Sequence, residues 1–140
     1  MQLYRRQLIE VYDTLNRLDD ALAQYEQMIG ADPQNGELRA DRGAIEARLG
    51  RAADAEKDYR LAMQLDPSLP EPYLNLALLE LADGRDTDAE GHLLRALEIK
   101  PDYQKAHFHL ARLYAQRGDP RAREHAERAV GAAGDPSGMQ

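Results

Sequence analysis

The chain has 140 residues, a formal net charge of −7 and no cysteine. This length allows one domain with a continuous core, and 43% hydrophobic residues are too many for a disordered chain. The negative balance argues against a nucleic-acid binder, because neutralising phosphates requires a basic face. Without cysteine, disulfides, thiolate catalysis and cysteine-based metal sites are excluded.

The first residues, Met1 to Arg6, contain no apolar segment of the kind that a signal peptide needs. The most apolar stretch, residues 74–82, is too short to span a membrane and is interrupted by Asn75 and Glu80. We therefore expect a cytoplasmic protein with no membrane insertion. A periplasmic location, or membership of a larger membrane-associated protein, stays open as an alternative.

A period of 34 residues runs through the chain and appears at several kinds of position. Proline keeps the period at Pro33, Pro67 and Pro101. A second series consists of Asn16, Gly50, Gly84 and Gly118. A third series contains only small residues, namely Ala21, Ala55 and Ala89. Several series that share one period indicate an internally repeated structure.

The residue types in each unit predict a helix, a tight turn, a second helix and a stop. Apolar residues recur at helical spacing, and glycine or asparagine between them tolerates the left-handed backbone that ends a helix. Proline stops the second helix, because it lacks a backbone N–H. The predicted units are residues 2–35, 36–69, 70–103 and 104–137, giving eight helices in a domain of residues 1–134. The last unit is irregular, and residues 135–140 are predicted to be a disordered tail.

This pattern resembles the tetratricopeptide repeat (TPR) family, whose units carry small, large apolar, small and proline residues at fixed spacing. Ala55, Tyr59, Ala62 and Pro67 match that motif most fully. The resemblance covers almost the whole chain and implies an all-α fold, a right-handed superhelix (α-solenoid) of four helix–turn–helix repeats. It also implies a concave groove lined by the first helix of each repeat, a role in protein–protein recognition, and no catalysis.

The groove positions of the family can be mapped onto this chain. The mapped leucines and the one phenylalanine would form an apolar patch, and such patches usually mark contact sites. Neighbouring alanines would allow close approach, and basic residues would orient an acidic or amphipathic ligand. The predicted groove consists of Leu74, Leu78, Leu81, Phe108, Ala40, Ala44, Asn75, Lys105, Arg112 and Arg6. The alternative is a register different by one position, which would turn these leucines into the core.

Some TPR proteins hold the C-terminus of a chaperone peptide in a carboxylate clamp of lysine, asparagine and arginine side chains. Asn75 and Lys105 fit two of the clamp positions in this chain. Ala40, Ala44 and His109 occupy the other three positions. We therefore reject a carboxylate clamp of this type.

The chain also departs from the family at charged positions. Arg39 and Arg42 occupy first-helix positions that are usually apolar, and Glu46 and Glu80 stand where tyrosine is usual. Asp58, together with the acidic residues just before it, is interpreted as part of a solvated helix start. The two arginines suggest either a second hairpin that is looser than its neighbours or arginine side chains that snorkel to solvent.

No arrangement of residues points to catalysis, a metal or a cofactor. The only serines are Ser68 and Ser137, and neither suits a nucleophile. His92 and His125 are interpreted as isolated histidines on second helices. The predicted function is therefore a non-enzymatic scaffold or adaptor that binds a protein or peptide. The alternatives are a self-assembling module that stacks through its uncapped ends, forming a homo-oligomer, and a regulatory TPR fragment of a larger protein.

Overall fold

The computed structural model describes residues 2–131 and is helical throughout that range, apart from turns. The residues of the predicted disordered tail, and the end of the fourth predicted unit, lie outside the described range. Within it the helices are α1 (Gln2–Thr14), α2 (Leu18–Ala31), α3 (Gly36–Arg48), α4 (Ala52–Leu65), α5 (Glu71–Ala82), α6 (Asp86–Ile99), α7 (Gln104–Gln116) and α8 (Arg121–Ala129). The predicted all-α fold with eight helices is confirmed for residues 2–131.

Consecutive helices pack as hairpins, and the turn inside each hairpin has the same construction. Asn16, Gly50, Gly84 and Gly118 adopt positive φ angles of 57°, 81°, 75° and 67°. After each of them, the next backbone N–H donates to the carbonyl five residues earlier, as from Arg51 to Glu46 over 2.8 Å. This is the hydrogen bond of a Schellman motif, which satisfies a free carbonyl at the helix end. The 34-residue series of glycine and asparagine therefore marks the turns, as the sequence predicts.

The chain divides into two compact units between Ser68 and Leu69. In the first unit, α1 to α4, the core is built from aliphatic side chains such as Leu22, Met28 and Ile45. Ala21 and Ala55 are fully buried in it, because the helices approach too closely for larger side chains.

The second unit, α5 to α8, is built in the same way. Its fully buried side chains include Leu76, Leu93 and Leu110, together with the small residues Ala89 and Ala96. The last helix, α8, has only nine residues, and none of them is buried. The core of this unit is therefore supplied mainly by α5, α6 and α7.

Candidate functional site

A small cavity of about 290 Å³ opens in the second unit between α5, the start of α6 and α7. Leu78 and Leu81 of α5 form one wall, and both are half-buried. His109, Arg112 and Leu113 of α7 form another. Three of the predicted groove residues, Leu78, Leu81 and Arg112, therefore line one cavity. Its mixture of apolar walls and a few polar groups is typical of a ligand pocket.

Two charged residues line this cavity, Arg112 of α7 and Asp86 at the start of α6. Among the described residues Arg112 has no carboxylate partner, whereas Arg117, one turn further on, donates to Glu90 over 2.7 Å. The Arg112 guanidinium lies 5.8 Å from the centre of the half-exposed Phe108 ring, within reach of a cation–π contact. Burial, and secondarily the positive charge of Arg112, lowers the pKa of His109. This shift favours the neutral imidazole of His109, which offers one N–H donor and one nitrogen acceptor.

The other predicted groove residues have different surroundings. Leu74 is only 3% exposed, so it has little surface to offer a ligand, and Asn75 is half-buried. Arg6, Ala40 and Ala44 belong to the first unit, where Arg6 is exposed, Ala40 is buried and Ala44 is half-buried. These residues stay predictions as ligand contacts.

Lys105 lines a second, larger cavity of about 680 Å³ at the end of the second unit. Charged residues of both signs line it: Lys100, Lys105 and Arg128 lie there together with the acidic Glu71 and Asp102. The Lys100 ammonium lies 4.9 Å from the centre of the Tyr103 ring. Because three basic and two acidic residues line it, the formal charges of the cavity nearly cancel.

A buried charged cluster joins α3 and α4 in the first unit. Arg42 donates to both carboxylate oxygens of Asp58, over 2.7 and 2.8 Å. Asp58 is buried, so its interpretation as part of a solvated helix start is wrong. The expected looseness of this hairpin at Arg42 is replaced by a bidentate ion pair, the strongest type of charged hydrogen bond.

Glu46 completes this cluster, and it is buried as well. Burial, followed by a hydrogen bond to Asp58 and the charge of Asp58, raises the pKa of Glu46 to about 8. The hydrogen bond from Arg42 contributes to holding the pKa of Asp58 below its usual value, despite burial. At neutral pH the cluster therefore holds one proton on Glu46, which donates to the ionised Asp58.

Two histidines interpreted as isolated have polar partners. His92 Nδ1 lies 2.6 Å from Oε1 of the buried Glu80, and this contact joins α6 to α5. His125 Nδ1 lies 2.8 Å from Nδ1 of His107, and this contact joins α8 to α7. The interpretation of His92 and His125 as isolated is therefore wrong.

One signal in the sequence could have revealed the first of these pairs. Glu80 and His92 lie 34 residues after Glu46 and Asp58, so the same two positions carry a polar pair in consecutive repeats. No such spacing marks the pair of His107 and His125.

Within residues 2–131, no three histidine, aspartate or glutamate side chains are grouped to hold a metal ion. In the same part of the chain, every helix is too short or too polar to cross a membrane.

Repeated helical hairpins with alanine-rich contacts define this chain as a helical repeat protein. Comparison with known proteins shows which kind of repeat it resembles. Residues 7–70 match the tetratricopeptide repeat family. The first TPR domain of Spaghetti (RPAP3), bound to the HSP90 peptide SRMEEVD, is 25% identical with a TM-score of 0.77, covering 84% of this chain and 96% of that one. The first TPR domain of human RPAP3 is 26% identical with a TM-score of 0.76, covering 84% and 93%.

MamA is similar in fold, with 24% identity, a TM-score of 0.74, and coverage of 87% of this chain and 72% of that one. No curated protein matches the chain significantly in sequence. The family match over residues 7–70 and the similarity to TPR structures agree, and the fold is that of a TPR solenoid.

Proposed function

We propose that this protein is an interaction module that binds an extended or helical peptide of a partner protein on the surface formed by α5 and α7. The observation that carries the proposal is the cavity of about 290 Å³ between Leu78, Leu81 and Arg112. TPR folds are generally non-catalytic interaction modules, and the related Spaghetti domain is bound to a peptide. The role needs no catalytic group and no cofactor.

The shape of the cavity favours one apolar side chain of the ligand as an anchor. A cavity of this size holds a leucine, methionine or phenylalanine side chain between Leu78 and Leu81. Burying one such side chain contributes roughly 1.5–3 kcal/mol before the cost of ordering the peptide. With the exposed Phe108 as a second contact, a short peptide would bind with a dissociation constant of about 1–100 µM.

Arg112 favours an acidic ligand residue next to the apolar anchor on the α7 side of the cavity, whereas Asp86 disfavours one at the start of α6. Arg112 presents its guanidinium without a carboxylate partner among the described residues, and a ligand carboxylate can accept two parallel hydrogen bonds from it. Lys105, one turn before Phe108 on α7, adds a second positive charge. The predicted groove residue Asn75, which is half-buried on α5, would extend the contact, and this part of the proposal rests on the family resemblance.

Selection of peptides from a display library, followed by calorimetry on purified variants, tests this site. Leu78→Glu should weaken binding of the selected peptides at least ten-fold, because it puts a charge in the apolar wall. Leu94→Glu is the matched control: Leu94 is an exposed leucine on α6 that does not line the cavity. That control should bind the peptides like the wild type.

Melting curves of both variants separate loss of the site from loss of the fold. If Leu78→Glu melts far below the wild type, Leu78 belongs to the core, and the exposed Arg112→Glu takes its place as the test. Peptides that bind Arg112→Glu and Leu78→Glu as tightly as the wild type would contradict the proposed site.

A further inference from the structure

Exposed apolar side chains are concentrated on α1 and the residue that follows it. Leu3, Tyr4, Val11 and Leu15 are 71%, 57%, 52% and 59% exposed. The other exposed large apolar residues in the described part of the chain, Leu94, Phe108 and Val130, are far apart in sequence. Single exposed apolar residues are ordinary, but several on one short helix indicate a contact surface.

Three of these exposed residues form a narrow stripe together with the half-buried Leu8. At 100° per residue, Tyr4, Leu8, Val11 and Leu15 fall within an arc of about 60° of the helix. The helix geometry extends to Leu15, whose N–H donates to the Val11 carbonyl over 3.0 Å. We call these four residues the α1 stripe.

The remaining sides of α1 are already in contact with its own unit. Ile9 is buried in the core, and Arg5 donates to Gln24 of α2 over 2.8 Å. Asp13, which lies on the side of the helix opposite the α1 stripe, accepts a hydrogen bond from Arg48 of α3. The α1 stripe therefore faces away from both neighbouring helices.

The α1 stripe is suited to pairing with itself. The spacings between its members are four, three and four residues, so the pattern is the same in both directions. Two copies of α1 in antiparallel orientation would place Tyr4 beside Leu15 of the second copy, and Leu8 beside Val11. The charged residues of the helix, including Arg6 and Glu10, lie at least about 90° of rotation from the centre of the stripe, so no like charges would meet. Such self-complementarity is the requirement of a two-fold interface.

The far end of the chain is a poor alternative for the α1 stripe. Helix α8 has five charged residues among its nine, and none of its residues is buried. Stacking α1 on α8 of another copy would place an apolar stripe against this charged helix, which would desolvate ion pairs such as Arg123–Glu127 without providing a new polar partner. A head-to-tail filament is therefore disfavoured.

We propose that the protein forms a two-fold dimer through antiparallel pairing of the α1 stripe with the α1 stripe of a second copy. The stripe is about 16 Å long, so the area it buries lies well below that of a standard interface. The dimer is accordingly weak, with a dissociation constant of tens of micromolar, on the order of 10–100 µM. It is separate from the peptide-binding role and uses none of the cavity residues.

Sedimentation equilibrium of the full chain between about 1 and 300 µM is the first test. The wild type should change from monomer to dimer over this range, and Val11→Glu should raise the dissociation constant at least ten-fold. Val130→Glu is the matched control, because it makes the same substitution at an exposed valine beside α8. A wild type that stays monomeric at 300 µM overturns the proposal.

Val130→Glu and one further variant, Phe108→Glu, separate this dimer from other assemblies. If Val130→Glu or Phe108→Glu abolishes association as fully as Val11→Glu does, α1 contacts another surface of the second copy, and the antiparallel α1 pair is overturned. Melting curves show whether Val11→Glu keeps its fold, as expected for a side chain that is half-exposed.

Cross-linking tests the orientation directly, because the chain has no cysteine of its own. Tyr4→Cys and Leu15→Cys proteins are mixed at 200 µM and treated with a short bismaleimide. Antiparallel pairing predicts a cross-link between the two different variants and little within either one alone. Efficient cross-linking of Tyr4→Cys to itself indicates a parallel pair and overturns the proposed arrangement.

Discussion

Glu46 is a carboxyl group that is only 8% exposed, between α3 and α4, next to a second buried carboxyl group on Asp58. Two adjacent buried carboxylates cannot both ionise cheaply, because each loses its hydration and repels the other. Arg42 settles which of them is charged, since its two hydrogen bonds hold Asp58 in the ionised form. Glu46 then keeps the proton, and its Oε1 is buried without a hydrogen-bond partner.

The raised pKa of Glu46 predicts that stability decreases as the pH rises. A proton is held by the folded state but not by the unfolded state between pH 4.5, the ordinary pKa, and about 8. The contribution of Glu46 to stability is therefore complete below pH 4.5 and is lost as the pH rises through about 8. Glu46→Gln keeps a donor for Asp58 and carries no charge, so at pH 9 it should melt about 5 °C or more above the wild type.

Melting curves of Glu46→Gln at pH 5 and pH 9 check this prediction. At pH 5 the variant and the wild type should differ little, because Glu46 is then protonated in the folded protein. Glu37→Gln, at an exposed glutamate on the same helix, is the control and should show no gain at pH 9. An equal shift of the melting temperature at both pH values would contradict a protonated Glu46.

At the scale of the helix, close packing depends on positions where no larger side chain fits. A Cβ atom on Gly43 in α3 would lie 2.7 Å from Cε1 of Tyr59 and 3.3 Å from the Ala55 carbonyl oxygen. Tyr59 is almost fully buried, so it has no room to move away. The hairpin of α3 and α4 is therefore closed around this glycine.

Gly43→Ala should consequently destabilise the protein. Overpacking costs about 1–3 kcal/mol, which outweighs the gain of about 0.5–1 kcal/mol for alanine over glycine in a helix. We expect the midpoint of urea unfolding to fall, with a loss of roughly 1–2 kcal/mol. Gly30→Ala, where no atom lies within 4 Å of the new Cβ, should be neutral or slightly stabilising. Two variants of equal stability would mean that the hairpin is not tightly closed at Gly43.

Turns and helices could be predicted from the sequence because their causes are local. A glycine such as Gly84 ends a helix through its own positive φ, and a proline such as Pro67 stops one through its missing N–H. The polar pairs could not be predicted from the sequence. Asp58 and His125, for example, each gain a partner only where their helix contacts another helix. The burial of Leu74 could not be predicted for the same reason. The position of a residue in the repeat motif indicates which side of the helix it lies on, but the packing of neighbouring helices determines how much of the side chain stays exposed.

For the molecule as a whole, charge opposes one of the two proposed interactions, the dimer, and favours the other, the binding of an acidic peptide. Each copy carries a net charge of −7, so two copies repel each other before their α1 stripes meet. An acidic ligand is also repelled by the net charge, but at the proposed peptide site its carboxylate would lie next to Arg112 and near Lys105, and we expect this short-range attraction to be the larger effect. Salt screens both effects, since the Debye length is about 10 Å at 0.1 M and shorter at higher concentrations.

Raising NaCl from 20 to 300 mM should therefore move the two equilibria in opposite directions. The dimer should become tighter, by about three-fold, because screening removes a repulsion. Binding of an acidic selected peptide should become weaker by a similar factor, because the same screening removes an attraction. Sedimentation measures the first equilibrium and calorimetry, at a protein concentration below that of dimer formation, measures the second. Arg112→Gln should reduce the salt dependence of peptide binding and leave that of the dimer unchanged. If salt weakened both equilibria in the wild type, the dimer would have to be held by charged groups and not by the uncharged α1 stripe.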